Sequence, residues 1–208
     1  MTNEQVKIPP NEELAADLRR VGLSPSDAAI GKFRDLALLL RKRAGIMNLV
    51  GPGEWKRLWE RHMLESACYS LLMEKNFSAV DVGSGNGFPG LVLAILGFDM
   101  ILMEPCRKKY LFLRHAAEKL ELTCKVIRCR LEDFEPEEDA YQFTARAVAP
   151  AARLLGIIGQ KCPKESTLLV REPGIPEEEK YSTILRLPVP PLDRKGFLVQ
   201  YRVCRSRV

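Results

Sequence analysis

The chain has little with which to bind a metal. It holds two histidines, His62 and His115, and its six cysteines, at 68, 106, 124, 129, 162 and 204, show no C-x-x-C spacing. Zinc sites draw on closely spaced Cys and His, so no metal is expected and the cysteines read as reduced packing residues. Long apolar runs are missing too. The longest, Gly90 to Phe98, is too short to span a bilayer, and no membrane partner is expected. The opening stretch MTNEQVKIPPNEEL lacks the apolar core of a signal peptide, which makes the cytoplasm the expected location. Charge, by contrast, is unbalanced toward cations, a net +5. The basic residues cluster as RKR at 41–43, WKRLWER at 55–61, CRKK at 106–109 and RKGFLVQYRVCRSRV at the C-terminus. One such cluster is by default a solvated face, but four on one small chain suit a polyanionic partner.

Two textures divide the chain, and they predict a helical extension over 1–77 and an α/β domain over 78–208. In the first, Asn11 is placed to cap EELAADLRR, and Ser24 to cap a helix with Pro25 in its first position and Asp27 three residues on. Ile30, Phe33, Leu36, Ala37 and Leu40 follow at helical spacing. Gly45 suits the end of that helix, Gly51-Pro52-Gly53 a turn, and Glu54 to about Lys75 one long helix. From residue 78 strands alternate with helices: SAVDV, PGLVLAIL, MILME, RKKYLFLRHAAEKL, CKVIRC, YQFTARAV, AARLLGIIGQ, STLLVRE and FLVQYRV. That alternation predicts a doubly wound, mainly parallel sheet.

The first strand leads into DVGSGNGFPG, where Gly85, Gly87 and Gly90 spell G-x-G-x-x-G. In such a sheet the ligand sits beyond the carboxyl ends of the first strands, where Gly83, Gly85 and Gly87 let it approach without a Cβ in the way. A tight strand–helix turn alone would also ask for glycine. Asp81 is the discriminating residue in this reading. At about 5 Å and an effective dielectric near 20, a carboxylate costs a pyrophosphate roughly 3 kcal/mol per charge pair. A cationic ligand gains from the same placement, which favours S-adenosylmethionine over NAD; Asp81 could equally bond the loop backbone. Glu104, ending the second strand nineteen residues after Gly85, is placed to accept hydrogen bonds from ribose hydroxyls, which both ligands carry. Leu131 and Glu132, after the third strand, lie where an adenine would be read, though Glu132 equally suits a plain surface acid.

After the fourth strand the expected methyl-transfer nucleophiles are missing. The loop reads ARAVAPAA, with no Asn/Asp-Pro-Pro-aromatic motif and no Pro-Cys, and Cys162 lies one helix too late. A guanine N7 has a free lone pair and loses no proton, so its methylation needs positioning more than a base. Arg146 is the candidate for holding cofactor or substrate, its alternative being a surface ion pair with the acidic run at 132–139.

NLV at 48–50, ERHMLES at 60–66, DVGSGNGFPGLVLAI at 81–95, RKKYLFLR at 107–114, CRLEDF at 129–134 and ARAVA at 145–149 occur in one order. Together they resemble the glucose-inhibited division protein B family, the small-subunit rRNA methyltransferases G. The resemblance implies a Rossmann-like class I methyltransferase fold, S-adenosylmethionine as cofactor and N7 of a guanine in 16S rRNA, free or in the small subunit, as target. It implies cofactor contacts at Gly83, Phe88, Leu131, Glu132 and Arg146, and places Arg61, His62 and Ser66 near the pocket mouth. The chain departs from the family pattern at Val50, usually Thr, at Glu65, usually Asp, and often at Glu104. It departs too at Arg171, which stands for a lysine. A binding protein with lost catalysis and an NAD oxidoreductase remain the rival readings.

Overall fold

The computed structural model describes residues 8–43, 57–138, 140–162, 165–175, 183–187 and 196–203. The expectations at Gly45, at Asn48-Leu49-Val50, at the Gly51-Pro52-Gly53 turn and for the helix start at Glu54 lie outside these residues, as do parts of the second and fourth basic clusters.

Helix α1 spans Asn11–Arg20 and α2 spans Asp27–Arg43. Both caps differ from the expected ones. Pro10 holds the cap position of α1, so Asn11 is already helical. For α2, Ser26 rather than Ser24 caps: its Oγ accepts the Ala29 N–H at 3.2 Å, relieving one of the orphan donors of the first turn. The helical stripe behaves as its spacing predicts, with Ile30, Phe33, Leu36, Ala37 and Leu40 all buried.

The long helix expected up to about Lys75 is, where described, three short pieces. A π-helical turn, Leu58–Leu64, runs into α3, Glu65–Cys68, and then a 3-10 turn, Tyr69–Leu72. Asp17 of α1 anchors the first piece, accepting the Trp59 indole N–H at 2.9 Å.

The sheet has the order β3-β2-β1-β4-β5-β7-β6. Its strands are β1 Ala79–Val82, β2 Met100–Met103, β3 Cys124–Ile127, β4 Gln142–Ala145, β5 Thr167–Glu172, β6 Thr183–Leu187 and β7 Gly196–Arg202. The first five pair in parallel, while β7 runs antiparallel to both β5 and β6. Helices α4 Gly90–Ile95, α5 Arg107–Lys119 and α6 Ala151–Lys161 are the crossovers. Strand alternation feeds two cores. Ala79, Met100, Leu102 and Leu169 meet α4, α5 and the N-terminal helices on one face. Val80, Val82, Met103, Leu168 and Val170 meet α6, Phe134 and Tyr141 on the other. The fold is thus the doubly wound, mainly parallel α/β fold of class I methyltransferases. Strand order reverses between β1 and β4, and the carboxyl ends of those two strands define the crevice.

Candidate functional site

Gly83 follows β1 with φ +64°, and an added Cβ would come within 2.9 Å of Val148 Cγ2. The turn from Gly83 to Phe88 therefore lies directly against the loop after β4. A cleft of about 200 Å³ opens beside it, walled by Met103, Leu131, Val148, Leu154 and Ile157 and rimmed by Glu132 and Arg153. Apolar walls with a few polar groups at the rim suit a flat heteroaromatic ring. Leu131 is buried in that wall. Glu132 stands exposed and pairs with Arg153 at 3.3 Å, so the plain surface acid is part of the truth. The backbone N–H that Glu132 accepts, foremost, and Arg153 hold its carboxyl below the usual range.

Glu104 is nearly buried at the end of β2. Its Oε2 accepts the Gly85 N–H at 2.9 Å and its Oε1 the Cys106 N–H at 2.8 Å. Each carboxylate oxygen has a second lone pair, so the acid that shapes the turn can still accept from ligand hydroxyls. Asn86 adds a buried side-chain oxygen without a partner among the described residues. An open glycine turn, an acid with acceptor capacity and an apolar slot fit a nucleoside-bearing cofactor.

Asp81 is the first correction. Strand position alone turns its carboxylate toward the ligand; instead it has no exposed surface. Oδ1 accepts from Thr144 Oγ1 at 2.9 Å and Oδ2 from the Gly90 N–H at 3.0 Å. Burial raises its pKa to about 6, although donors from Ser84, Thr144 and Gly90 and the charge of Arg146 pull the other way. Asp81 ties β1 to β4 and to the start of α4. A Cβ at position 90 would lie 2.5 Å from its Oδ2, which is why glycine stands there. The contact argument that Asp81 made against a pyrophosphate does not hold for a side chain inside the protein.

Arg146 is the second. Neither the acidic run nor the cleft receives its guanidinium. Nη1 donates to the His62 carbonyl and to Ser66 Oγ, both at 3.3 Å, and Nη2 donates to the Arg61 carbonyl at 3.1 Å and meets His62 Nδ1 at 2.9 Å. Nε faces Glu65 Oε1 at 3.8 Å. Five donors are thus directed at the segment 61–66. The carbonyls that Arg146 caps belong to the π-helical turn; Ser66 Oγ bonds the His62 carbonyl as well. The resemblance motif and Arg146, eighty residues apart in sequence, form one unit. It touches the glycine turn through Phe88, whose ring centroid lies 5.5 Å from that of His62 and 5.9 Å from Arg146 Cζ.

Glu65 and Arg171 form a pair beside the site that sequence reasoning missed. Glu65 is 1 % exposed, and its Oε2 accepts Arg171 Nε at 3.2 Å. The two departures from the family pattern are partners in one buried ion pair. The Tyr69 hydroxyl lies buried in the same charge cluster, its pKa pushed up by burial first, Arg146 opposing and Glu65 and Asp81 adding. Sequence spacing of 106 positions carries no hint of that pairing. The cysteines also divide: Cys68 and Cys162 are buried packing residues, with burial pushing the Cys68 thiol up to about 12, while Cys106 is exposed.

A family model described as "rRNA small subunit methyltransferase G" matches residues 29–180. A protein of that name from Thermobifida fusca is 39 % identical over 142 residues, covering 64 % of this chain and 60 % of its own length. One from Mycolicibacterium gilvum is 33 % identical over 181 residues, 78 % of this chain and 77 % of its own. Several curated relatives are matched over less than two thirds of their length, 64 % for that of Paramagnetospirillum magneticum and 53 % for that of Corynebacterium jeikeium. Among solved structures, an RNA methyltransferase from Salinibacter ruber in complex with S-adenosyl-L-homocysteine is 11 % identical with a TM-score of 0.51. It covers 68 % of this chain and 90 % of that one, a likeness of fold.

Proposed function

The chain belongs to the rRNA small subunit methyltransferase G family, and from that premise we propose that it methylates N7 of a guanine in 16S rRNA using S-adenosylmethionine. The observation that carries the reading is the joint between the glycine turn and the Arg146 unit at the switch point of the sheet. Gly83 and Gly85 leave the turn open, Glu104 accepts ribose hydroxyls, and Leu131 and Glu132 receive the adenine, with Phe88 closing the turn. When bound, the cofactor supplies an electrophilic methyl group on a sulfonium. The chain's part is positioning: a guanine N7 presents its lone pair and gives up no proton, so the side chains have to orient it rather than deprotonate it. Arg61 and His62 stand on the substrate side of the turn, while Ser66 is fully buried behind them, its Oγ bonded to the His62 carbonyl, and does not reach the pocket mouth. Exposed Arg107, Lys108, Arg130 and Arg153 flank the strand ends and suit phosphates, which fix register while the target base is splayed out.

No helix among the described residues is long and apolar enough to cross a membrane; the cytoplasm, where ribosomal subunits are, is the place this reading implies. The binding-only rival leaned on Val50 and Arg171. Arg171 retains a buried carboxylate partner, so that substitution gives it no support. The family match speaks against the NAD rival.

The test is incubation with small subunits from cells lacking the guanine-N7 enzyme and methyl-labelled S-adenosylmethionine, followed by mass spectrometry of the rRNA nucleosides. N7-methylguanosine should appear and carry the label. Label in another nucleoside, or none while S-adenosylhomocysteine binds, overturns the reading.

A further inference from the structure

We propose that Arg146 acts on the reaction through His62: it is a positioning residue that fixes the neutral imidazole with its proton on Nε2 at the mouth of the glycine turn. The inference rests on the methyl-transfer reading above for its consequence, but on donor and acceptor inventory for its substance. A guanidinium has five donors and no acceptor, and it does not deprotonate in proteins. At 2.9 Å from Arg146 Nη2, His62 Nδ1 can only be an acceptor. The ring proton therefore sits on Nε2, and an imidazolium would set two donors face to face.

The pose of Arg146 is over-determined. Its other Nη protons are taken by the Arg61 and His62 carbonyls and by Ser66 Oγ, and Glu65 faces its Nε. Glu65 is held in turn by Arg171 from β5, whose guanidinium lies against Gly196 of β7, where a Cβ would come within 2.7 Å of Nη2. The imidazole itself packs on Phe88 of the turn. One end of this chain of contacts is locked in the sheet and the other is a ring beside the ligand turn.

A neutral ring suits the chemistry proposed for the site. The cofactor enters with a positive sulfonium and the product guanine leaves with a positive charge on its imidazole ring. A charged His62 would add a like charge beside both, whereas the neutral ring adds none.

The test is two-bond nitrogen–proton correlation NMR at pH 8 on protein labelled with nitrogen-15 in histidine. With only two histidines, the H115Q variant assigns His62. The expected wild-type spectrum shows a single neutral form with Nδ1 unprotonated. Arg146→Met should give mixed tautomers, and in transfer assays a loss of kcat of about tenfold or more, the scale of one charged hydrogen bond. His62→Ala should lose a similar factor, and the double variant no more than the larger single loss. A wild-type proton on Nδ1, an imidazolium, an unchanged tautomer in Arg146→Met or additive losses each overturn the proposal. The wild-type spectrum, assigned with H115Q, needs no substitution in the Arg146 contact chain and no methyl acceptor, so failure here is distinct from failure of the substrate assignment.

Discussion

Asp81→Asn should reverse the usual expectation that losing a carboxylate weakens a protein as pH rises. The folded carboxyl titrates at about 6, against 3.8 for an unhindered one. Between those values the native state binds more protons than the unfolded chain, so stability falls as pH rises through 4 to 6 and is level above. At about 1.4 kcal/mol per pH unit the ionisation costs ~3 kcal/mol by neutral pH. Asparagine escapes that cost without losing the contacts. Its Oδ1 can accept the Gly90 N–H, and its Nδ2 can donate to Thr144 Oγ1, a hydroxyl that can turn to accept. Urea unfolding of wild type and variant at pH 4 and pH 7.5 checks this, other carboxylates cancelling in the difference. Relative to the variant, wild type should lose ~2.4 kcal/mol between the two pH values, the rest of the cost falling below pH 4. An equal difference at both would refute the burial argument, and a widening in favour of wild type would reverse it.

The remaining predictions follow from packing and charge. Gly90→Ala places a Cβ 2.4 Å from Leu102 Cδ2 and 2.5 Å from Asp81 Oδ2, and should cost about 1–3 kcal/mol in urea unfolding. Arg171→Met removes the 3.2 Å partner of a buried Glu65 and should cost about 3 kcal/mol, less for Arg171→Lys. Gly83→Asp fills the open turn, and calorimetry should show S-adenosylhomocysteine binding weakened about tenfold or more. Iodoacetamide followed by peptide mass spectrometry should modify exposed Cys106 well before buried Cys68 or Cys162.

The legible parts of the fold are those governed by local pattern. β1, β2, α2 and α5 show apolar runs or helical stripes because each packs a whole face into a core, and Glu104 and Leu131 follow from counting to strand ends in a parallel sheet. The strand β6 leaves no such trace: Thr183–Leu187 is five residues at the sheet's edge, bonded to β7 alone, with half-exposed positions that dilute its alternation. The broken helix at 58–72 is hidden for another reason. Its residues are all compatible with an α-helix; the π-helical turn coincides with carbonyls met by an arginine from β4. Asp81 is conspicuous in the sequence yet misleading, because a strand-end position does not reveal the direction of a side chain. The Glu65–Arg171 pair is a purely tertiary fact.

The strand order β5-β7-β6 bears on how the chain is made. During synthesis β6 leaves the ribosome before β7, yet β6 can join the sheet only through β7. Until residues 196–202 emerge, the outer edge of β5 stays unpaired, and Arg171 lacks the neighbour that Gly196 later provides. Only the backing of Arg171 by Gly196 waits for β7; the contacts from Arg171 through Glu65 and Arg146 to His62 lie wholly within residues 61–171. A nascent chain can therefore assemble its parallel strands, its glycine turn and the arginine–histidine contact beside it before the reversed strand arrives to close the edge of β5.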